Sequence, residues 1–268
     1  MLFKSFLKSI FLLITCTLIP KLHAIEGDLN YPSCEFKKIL ETEVHLYISK
    51  SVLKDLSRDD VKTEIYTWQE NANTVLQNSC IPMRRKVTVI SYVKPIDSSW
   101  FTESQVDNTV LLIEMENNIE YQDIDAAGVP IFNGIIFGRF ENGFKSEFCG
   151  FASASSNHFV ARLKCDDDVM EHEIGHLSGA NHDHKTLIEI NQFTSINAFK
   201  AQRGQPIKPY SFGKVCAGRG TIMTYEPNII HAYSNPDITF DGHRCGNPHH
   251  ADNARVLREF AELYLAKN

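Results

Sequence analysis

The chain lacks a basic excess. Its 268 residues carry 27 Lys and Arg against 33 Asp and Glu, a formal charge of −6. Proteins whose main partner is nucleic acid usually show the opposite balance, so that class is disfavoured. It also lacks internal repeats, long linkers and low-complexity tracts, and 43% of its residues are hydrophobic. These proportions exclude a disordered or collagen-like chain and leave ample material for a core. No apolar run is long enough to hold the chain stably across a bilayer. No CxxC pair occurs, which argues against a structural zinc site of that spacing.

What is present begins with an export signature. Lys4 and Lys8 precede an apolar stretch from Ile10 to Ile19, Pro20 ends it, and Ala24 is a small residue suited to cleavage. Residues 1–24 therefore read as a secretory signal peptide, with an uncleaved anchor as the alternative. Thr15 before Cys16 is a poor context for lipidation. The expected location is secreted or periplasmic, with no stable membrane anchor after cleavage. Loss of three lysines and no acid takes the charge from −6 to −9. Loss of Cys16 leaves six cysteines, Cys34, Cys80, Cys149, Cys165, Cys216 and Cys245. An even number in an exported chain reads as disulfides. Neighbour pairing (Cys34–Cys80, Cys149–Cys165, Cys216–Cys245) is the simplest of the possible connectivities, against zinc ligation or a free thiol.

Local patterns suggest a mixed sheet covered by helices. Val44 to Ile48, Lys86 to Val93, Ile135 to Phe140, Cys149 to Ala154 and Phe159 to Leu163 read as strands, and Val110 to Met115 as a further apolar stretch. Ser57, with Asp60 three residues on, opens a helix whose apolar face is Val61, Ile65, Trp68, Ala72 and Val75. Asp166, Asp167 and Asp168 start another, where acids suit the N-terminal dipole end. Residues 191–220 hold no long periodic signal. Ala251 to Ala266 reads as a terminal helix with Ala254, Leu257, Phe260, Ala261 and Tyr264 on one side.

The chemistry concentrates in HEIGHLSGANHD from His172. His172 and His176 stand four apart on a helix, so both rings face one side and can share one metal ion. Glu173 lies beside that ion without needing to bind it, placed to take a proton from an activated water and return it to a leaving amine. Gly179 can end the helix in a left-handed turn, and the returning chain brings His182 as a third ligand. Three protein ligands leave the fourth position open, the mark of a catalytic rather than a structural zinc site.

These five fixed positions, His172, Glu173, His176, Gly179 and His182, followed by Met223 in GTIMTY, resemble the metzincin zinc endopeptidases. The resemblance implies an α+β fold: a twisted mixed sheet with helices in an N-terminal subdomain, 25–182, and a smaller irregular C-terminal subdomain, 183–268, ending in a helix. It implies one catalytic Zn2+; Ca2+ is not indicated. It makes Met223 the apolar base of the site in a Met-turn. Asp183 is similar to the adamalysin/reprolysin branch, whereas Tyr225 is similar to the astacin and serralysin branches. There the matching tyrosine can ligate zinc and stabilise the tetrahedral intermediate; a packing tyrosine is the alternative. Residues 233–237, Gly242 and 251–257 resemble the end of secreted bacterial reprolysin-like proteases. A protein or peptide substrate is then expected to lie extended along an edge strand, Cys149 to Ala154, with residues near Pro227 to Tyr233 walling a pocket. The chain is expected to act as a monomer.

Other residues admit two readings. His243, His249 and His250 with Asp237 or Asp241 form a second metal site or, as the spacing favours, a solvated loop tied by Cys245. His231 is placed to touch substrate, and His158 and His184 are expected on the surface. Cys34 reads as a disulfide partner rather than a latency thiolate, and the short stretch before Val44 leaves no room for a large propeptide. The functional expectation is a secreted zinc-dependent endopeptidase. The alternatives are an exported binding protein or inhibitor with structural zinc, and a zinc hydrolase of a non-peptide amide.

Overall fold

Apolar residues at alternate positions of one strand set the architecture. In a computed structural model describing residues 27–95, 106–138, 149–152, 156–202 and 207–267, strand β1 (Leu29–Asn30) precedes strand β2 (Leu40–Ser49). In β2, Val44, Leu46 and Ile48 project to one face and Tyr47 to the other. Helix α1 (Arg58–Asn78) follows, and its start carries the expected capping box: Ser57 Oγ accepts from the Asp60 amide, and Asp60 accepts from the Ser57 amide. Strand β3 (Met83–Val93) returns parallel to β2. Helix α2 (Val106–Asn117), strand β4 (Phe132–Phe137), strand β5 (Gly150–Ala152) and strand β6 (His158–Arg162) come next.

These strands form one mixed sheet in the order β3-β2-β4-β6-β5. All neighbours are parallel except β5, which pairs antiparallel with β6 and holds the edge. On one face Val44, Leu46 and Ile48 pack against Val61, Ile65, Trp68 and Ala72 of α1 and against Met170 and Ile174 of helix α3 (Val169–Leu177). On the other, Tyr47, Ile135, Phe137 and Val160 pack against Val110 and Ile113. The apolar stretch at 110–115 is thus helical, with Val110 and Ile113 facing the sheet and Met115 exposed. The strands expected at 135–140 and 149–154 are β4 and β5; residues 139, 140, 153 and 154 lie outside the described residues, as do residues 1–24. His158 is buried rather than on the surface, because its ring packs edge-on against Tyr121 at 5.1 Å. His184 is exposed.

After α3 the elements are short: a π-turn at Thr186–Ile190, helix α4 (Ile196–Gln202), strands β7 (Val215–Cys216), β8 (Arg219–Thr221), β9 (Ile229–Ile230), β10 (Thr239–Phe240) and β11 (His243–Arg244), then helix α5 (Asn253–Leu265). Strands β7, β8 and β9 form one small sheet; β1, β10 and β11 form another, so residues 29 and 30 pair with the C-terminal part of the chain. The mixed α+β class expected from the sequence is the one observed. Three disulfides join Cys34–Cys80, Cys149–Cys165 and Cys216–Cys245, the neighbour pairing. Among the described residues no helix is long and apolar enough to cross a membrane.

The two parts of the chain meet over a buried ion pair. Arg85 of β3 donates from Nε and Nη2 to both carboxylate oxygens of Glu171 on α3, at 2.9 and 3.0 Å, and both side chains are fully buried. Tyr233 reaches in from the C-terminal part and donates to Glu171 Oε1 at 2.8 Å. Arg85 Nη1 donates to Thr42 Oγ1 at 2.9 Å, which spreads the bonds of the guanidinium over two elements. Burying charge is costly unless every polar atom is matched, and this matching uses groups from distant segments. Arg85→Ala leaves the Glu171 carboxylate buried without its cation, which costs about 3–5 kcal/mol; denaturant unfolding against the wild type measures the loss.

Candidate active site

Helix α3 presents the site because of how it begins and ends. Asp168 occupies the N-cap position, but its side chain makes no capping bond; its carboxylate instead meets His231 Nδ1 at 3.1–3.2 Å. The acids before the helix therefore contribute through charge at its positive end. At the other end Gly179 adopts φ +96°, a conformation strained for any residue with a Cβ. The Ala180 amide donates to the Gly175 carbonyl at 2.9 Å and the Gly179 amide to the His176 carbonyl at 3.1 Å, the two bonds of a Schellman motif. That turn reverses the chain and carries His182 back over the helix.

The three histidines converge. The Nε2 atoms of His172 and His176 each lie 3.0 Å from His182 Nε2, and one ligand atom from each ring falls within 4.8 Å of the others. The opposite ring atoms explain the orientation. His172 Nδ1 lies 2.7 Å from the Ile222 carbonyl oxygen, His176 Nδ1 3.1 Å from that of Ala180, and His182 Nδ1 3.1 Å from Asn191 Oδ1. An oxygen of this kind only accepts, so each Nδ1 carries a proton and each Nε2 of a neutral ring turns a lone pair inward. Burial pushes the His172 imidazole below its ordinary value and keeps it neutral. Three lone pairs this close repel one another unless a cation sits between them. A neutral nitrogen donor set of this kind suits a borderline metal such as zinc. Among the described residues no other group of three or more potential ligands gathers; His243, His249 and His250 are exposed.

A cleft of about 320 Å³ opens beside the histidines, lined on one wall by Gly150, Asp168, His172 and Glu173 and on the other by Tyr225 and Pro227. Glu173 is 5% exposed, and its carboxylate rests against β5. A Cβ at Gly150 would stand 2.6 Å from Glu173 Oε1, so only glycine lets the edge strand approach this close. Cys149–Cys165 fastens that strand to the loop entering α3. Met223 is fully buried, with its sulfur against α3 at Gly175, between the two helical histidines. Its carbonyl accepts from the Asp183 amide at 3.2 Å, so residues 222 and 223 support both His172 and the chain after His182. The Tyr225 ring is 42% exposed and stands 4.7 Å from the His182 ring and 5.9 Å from that of His172.

One sequence expectation at the site needs correction. Tyr233, placed in the pocket wall by analogy, is fully buried behind α3, because its hydroxyl is claimed by Glu171. Cys34 is disulfide-bonded to Cys80, as the sequence reading expected. His231 is engaged with Asp168, which lines the cleft. The residues that sequence reasoning missed are Arg85, Glu171 and Asn191, and it gave Tyr233 a different role. Only Glu171 carried a hint, as the acid directly before the motif.

The hydrogen bond to Asp168 raises the His231 pKa, against an opposing effect of burial. A raised folded value means the pair's stabilisation is fully present below the unfolded value near 6.5 and fades as pH rises through the folded value. Histidine NMR titration is expected to place His231 above the ordinary imidazole range, and Asp168→Asn to return it towards that range.

The model of metallo-peptidase family M12, of the reprolysin type, matches residues 44–234, a span that holds the three histidines, Glu173 and Met223. No curated protein matches the sequence. Among solved structures, the chain is similar to one described as the structure of a chaperone–substrate complex, with a TM-score of 0.56 and 17% identity over 86% of this chain and 36% of that one. The chain thus spans about a third of that protein's length, and the likeness is one of fold alone. Metalloproteinase-II from Bacteroides fragilis aligns at a TM-score of 0.35 and 13% identity over 57% of this chain and 47% of that one, which is too distant to add to it.

Proposed function

The chain belongs to metallo-peptidase family M12, and from that premise we propose that it is a secreted zinc-dependent endopeptidase of the reprolysin-like metzincins. The observation that carries the reading is the convergence of three inward Nε2 atoms beside a buried glutamate on the wall of a cleft. His172, His176 and His182 would hold the metal. Zinc held there supplies Lewis-acid polarisation of the scissile carbonyl and of water.

The remaining work falls to the chain. Glu173, poorly hydrated and one residue from His172, takes a proton from the attacking water and delivers it to the departing amine nitrogen. A substrate segment adds to the sheet along the edge strand β5, so its backbone bonds to the sheet and its scissile bond passes Glu173. Tyr225, exposed above the His172 and His182 rings, offers its hydroxyl to the developing oxyanion. Three disulfides suit an oxidising compartment, in keeping with the export signature of residues 1–24. A non-proteolytic binder with structural zinc is disfavoured, because such a site has no use for Glu173 in an open cleft.

Glu173→Gln is expected to retain zinc by elemental analysis and to abolish cleavage of a denatured protein substrate; undiminished turnover by that variant refutes the proposed role. A chelator should remove activity from the wild type, and added zinc should restore it. Gly150→Ala pushes the edge strand off the Glu173 carboxylate, and displacement on this scale costs on the order of 10²-fold in kcat/KM; peptide kinetics with the variant measure it.

A further inference from the structure

The three imidazoles are oriented by two different kinds of group. His172 and His176 donate to backbone carbonyls, of Ile222 in the Met-turn and of Ala180 in the helix-ending turn. The His182 Nδ1 donates instead to a side chain, the Asn191 amide oxygen at 3.1 Å. Asn191 is nine residues further on and carries no part of the zinc motif. We infer that Asn191 is a positioning residue for the third metal ligand, fixing the His182 tautomer and ring direction through a self-closing loop; this rests on the proposed zinc site.

The loop between them is built for that contact. Asp183 Oδ2 accepts from the Lys185 amide at 3.0 Å and the Thr186 amide at 3.4 Å, and Asp183 Oδ1 accepts from the Thr186 hydroxyl. A π-turn then spans Thr186–Ile190, and the Asn191 amide donates back to the Thr186 carbonyl at 3.0 Å. The wider π spacing moves Asn191 round by one residue relative to an α-turn, which turns its side chain towards His182. Leu187 buries itself with Phe199 and Phe212, so the loop is held by an apolar cluster and not only by its own hydrogen bonds. The direction of the Asn191 amide follows from the donor logic. His182 Nε2 points into the cluster with its lone pair, so Nδ1 carries the proton and requires an oxygen opposite. The aspartate directly after His182 and the asparagine that closes on it therefore belong to one device. Asp183 starts the turn, and Asn191 delivers its product.

The test measures the zinc affinity of the full chain by competition with a chelator of known affinity, together with the visible spectrum of the Co2+-loaded protein. Asn191→Ala leaves His182 Nδ1 without its acceptor and is expected to weaken zinc binding by ~10–100-fold and to change the Co2+ bands. Asn191→Asp keeps an oxygen acceptor and adds charge behind the imidazole, so it should hold zinc at least as tightly as the wild type. A role in loop stability alone predicts that both variants weaken binding alike. Unchanged affinity in Asn191→Ala, or loss of affinity in Asn191→Asp, overturns the inference while leaving the zinc site standing. If Asn191→Ala fails to fold, the Asn191→Asp measurement decides alone. A wild-type chain that binds no zinc overturns the proposed function, and this inference with it.

Discussion

The bidentate pair between Arg85 and Glu171 is the interaction on which the rest of the molecule depends. It sits where the mixed sheet, the histidine-bearing helix and the C-terminal part of the chain come within bonding distance, and none of its atoms is available to water. Such a pair adds little net stability over well-packed apolar residues, but it penalises any arrangement that breaks it. Its effect here is therefore on register. Helix α3 has one position along the sheet in which Glu171 meets Arg85 and Tyr233 together, and that position puts His172 over the Ile222 carbonyl.

From that anchor the site is assembled by acceptors. Each histidine has its outer nitrogen committed to an oxygen, which leaves the inner nitrogens facing one another. Sheet, helix, Met-turn and loop each contribute a single constraint, and none would suffice alone. The edge strand supplies the remaining wall. Because β5 comes close to Glu173 at a residue without a side chain, the strand proposed to take substrate and the group proposed to move its proton are in direct contact.

Much of this was legible in the chain. Ser57 and Asp60 announced the start of α1, β-branched alternation marked β3, and an even number of cysteines fitted a neighbour pairing. The histidine spacing located the site, because a helix turns 100° per residue whatever its surroundings. What stayed hidden were contacts between distant segments. Arg85, inside Arg84-Arg85-Lys86, looks like part of a solvated basic face, and only the sheet register turns it inwards. Tyr233 looked like a pocket residue until the Glu171 carboxylate claimed its hydroxyl. Asn191 fell in a stretch without periodic signal, since a π-turn leaves no repeating apolar pattern. His158 looked like a surface histidine because nothing local reveals Tyr121 as its neighbour.

The pairing of β1 with β10 has a bearing on the order of assembly. Residues 29 and 30 wait for partners at 239 and 240, while β2, α1 and β3 find theirs among near neighbours. Long-range closures of that kind form late, and in a chain emerging from its N-terminus they wait for the far end. Met223 and Tyr233 also emerge well after the three histidines. The histidine helix therefore passes through synthesis without its base and without the tyrosine that completes its buried anchor. The finished cleft is among the last things the chain makes.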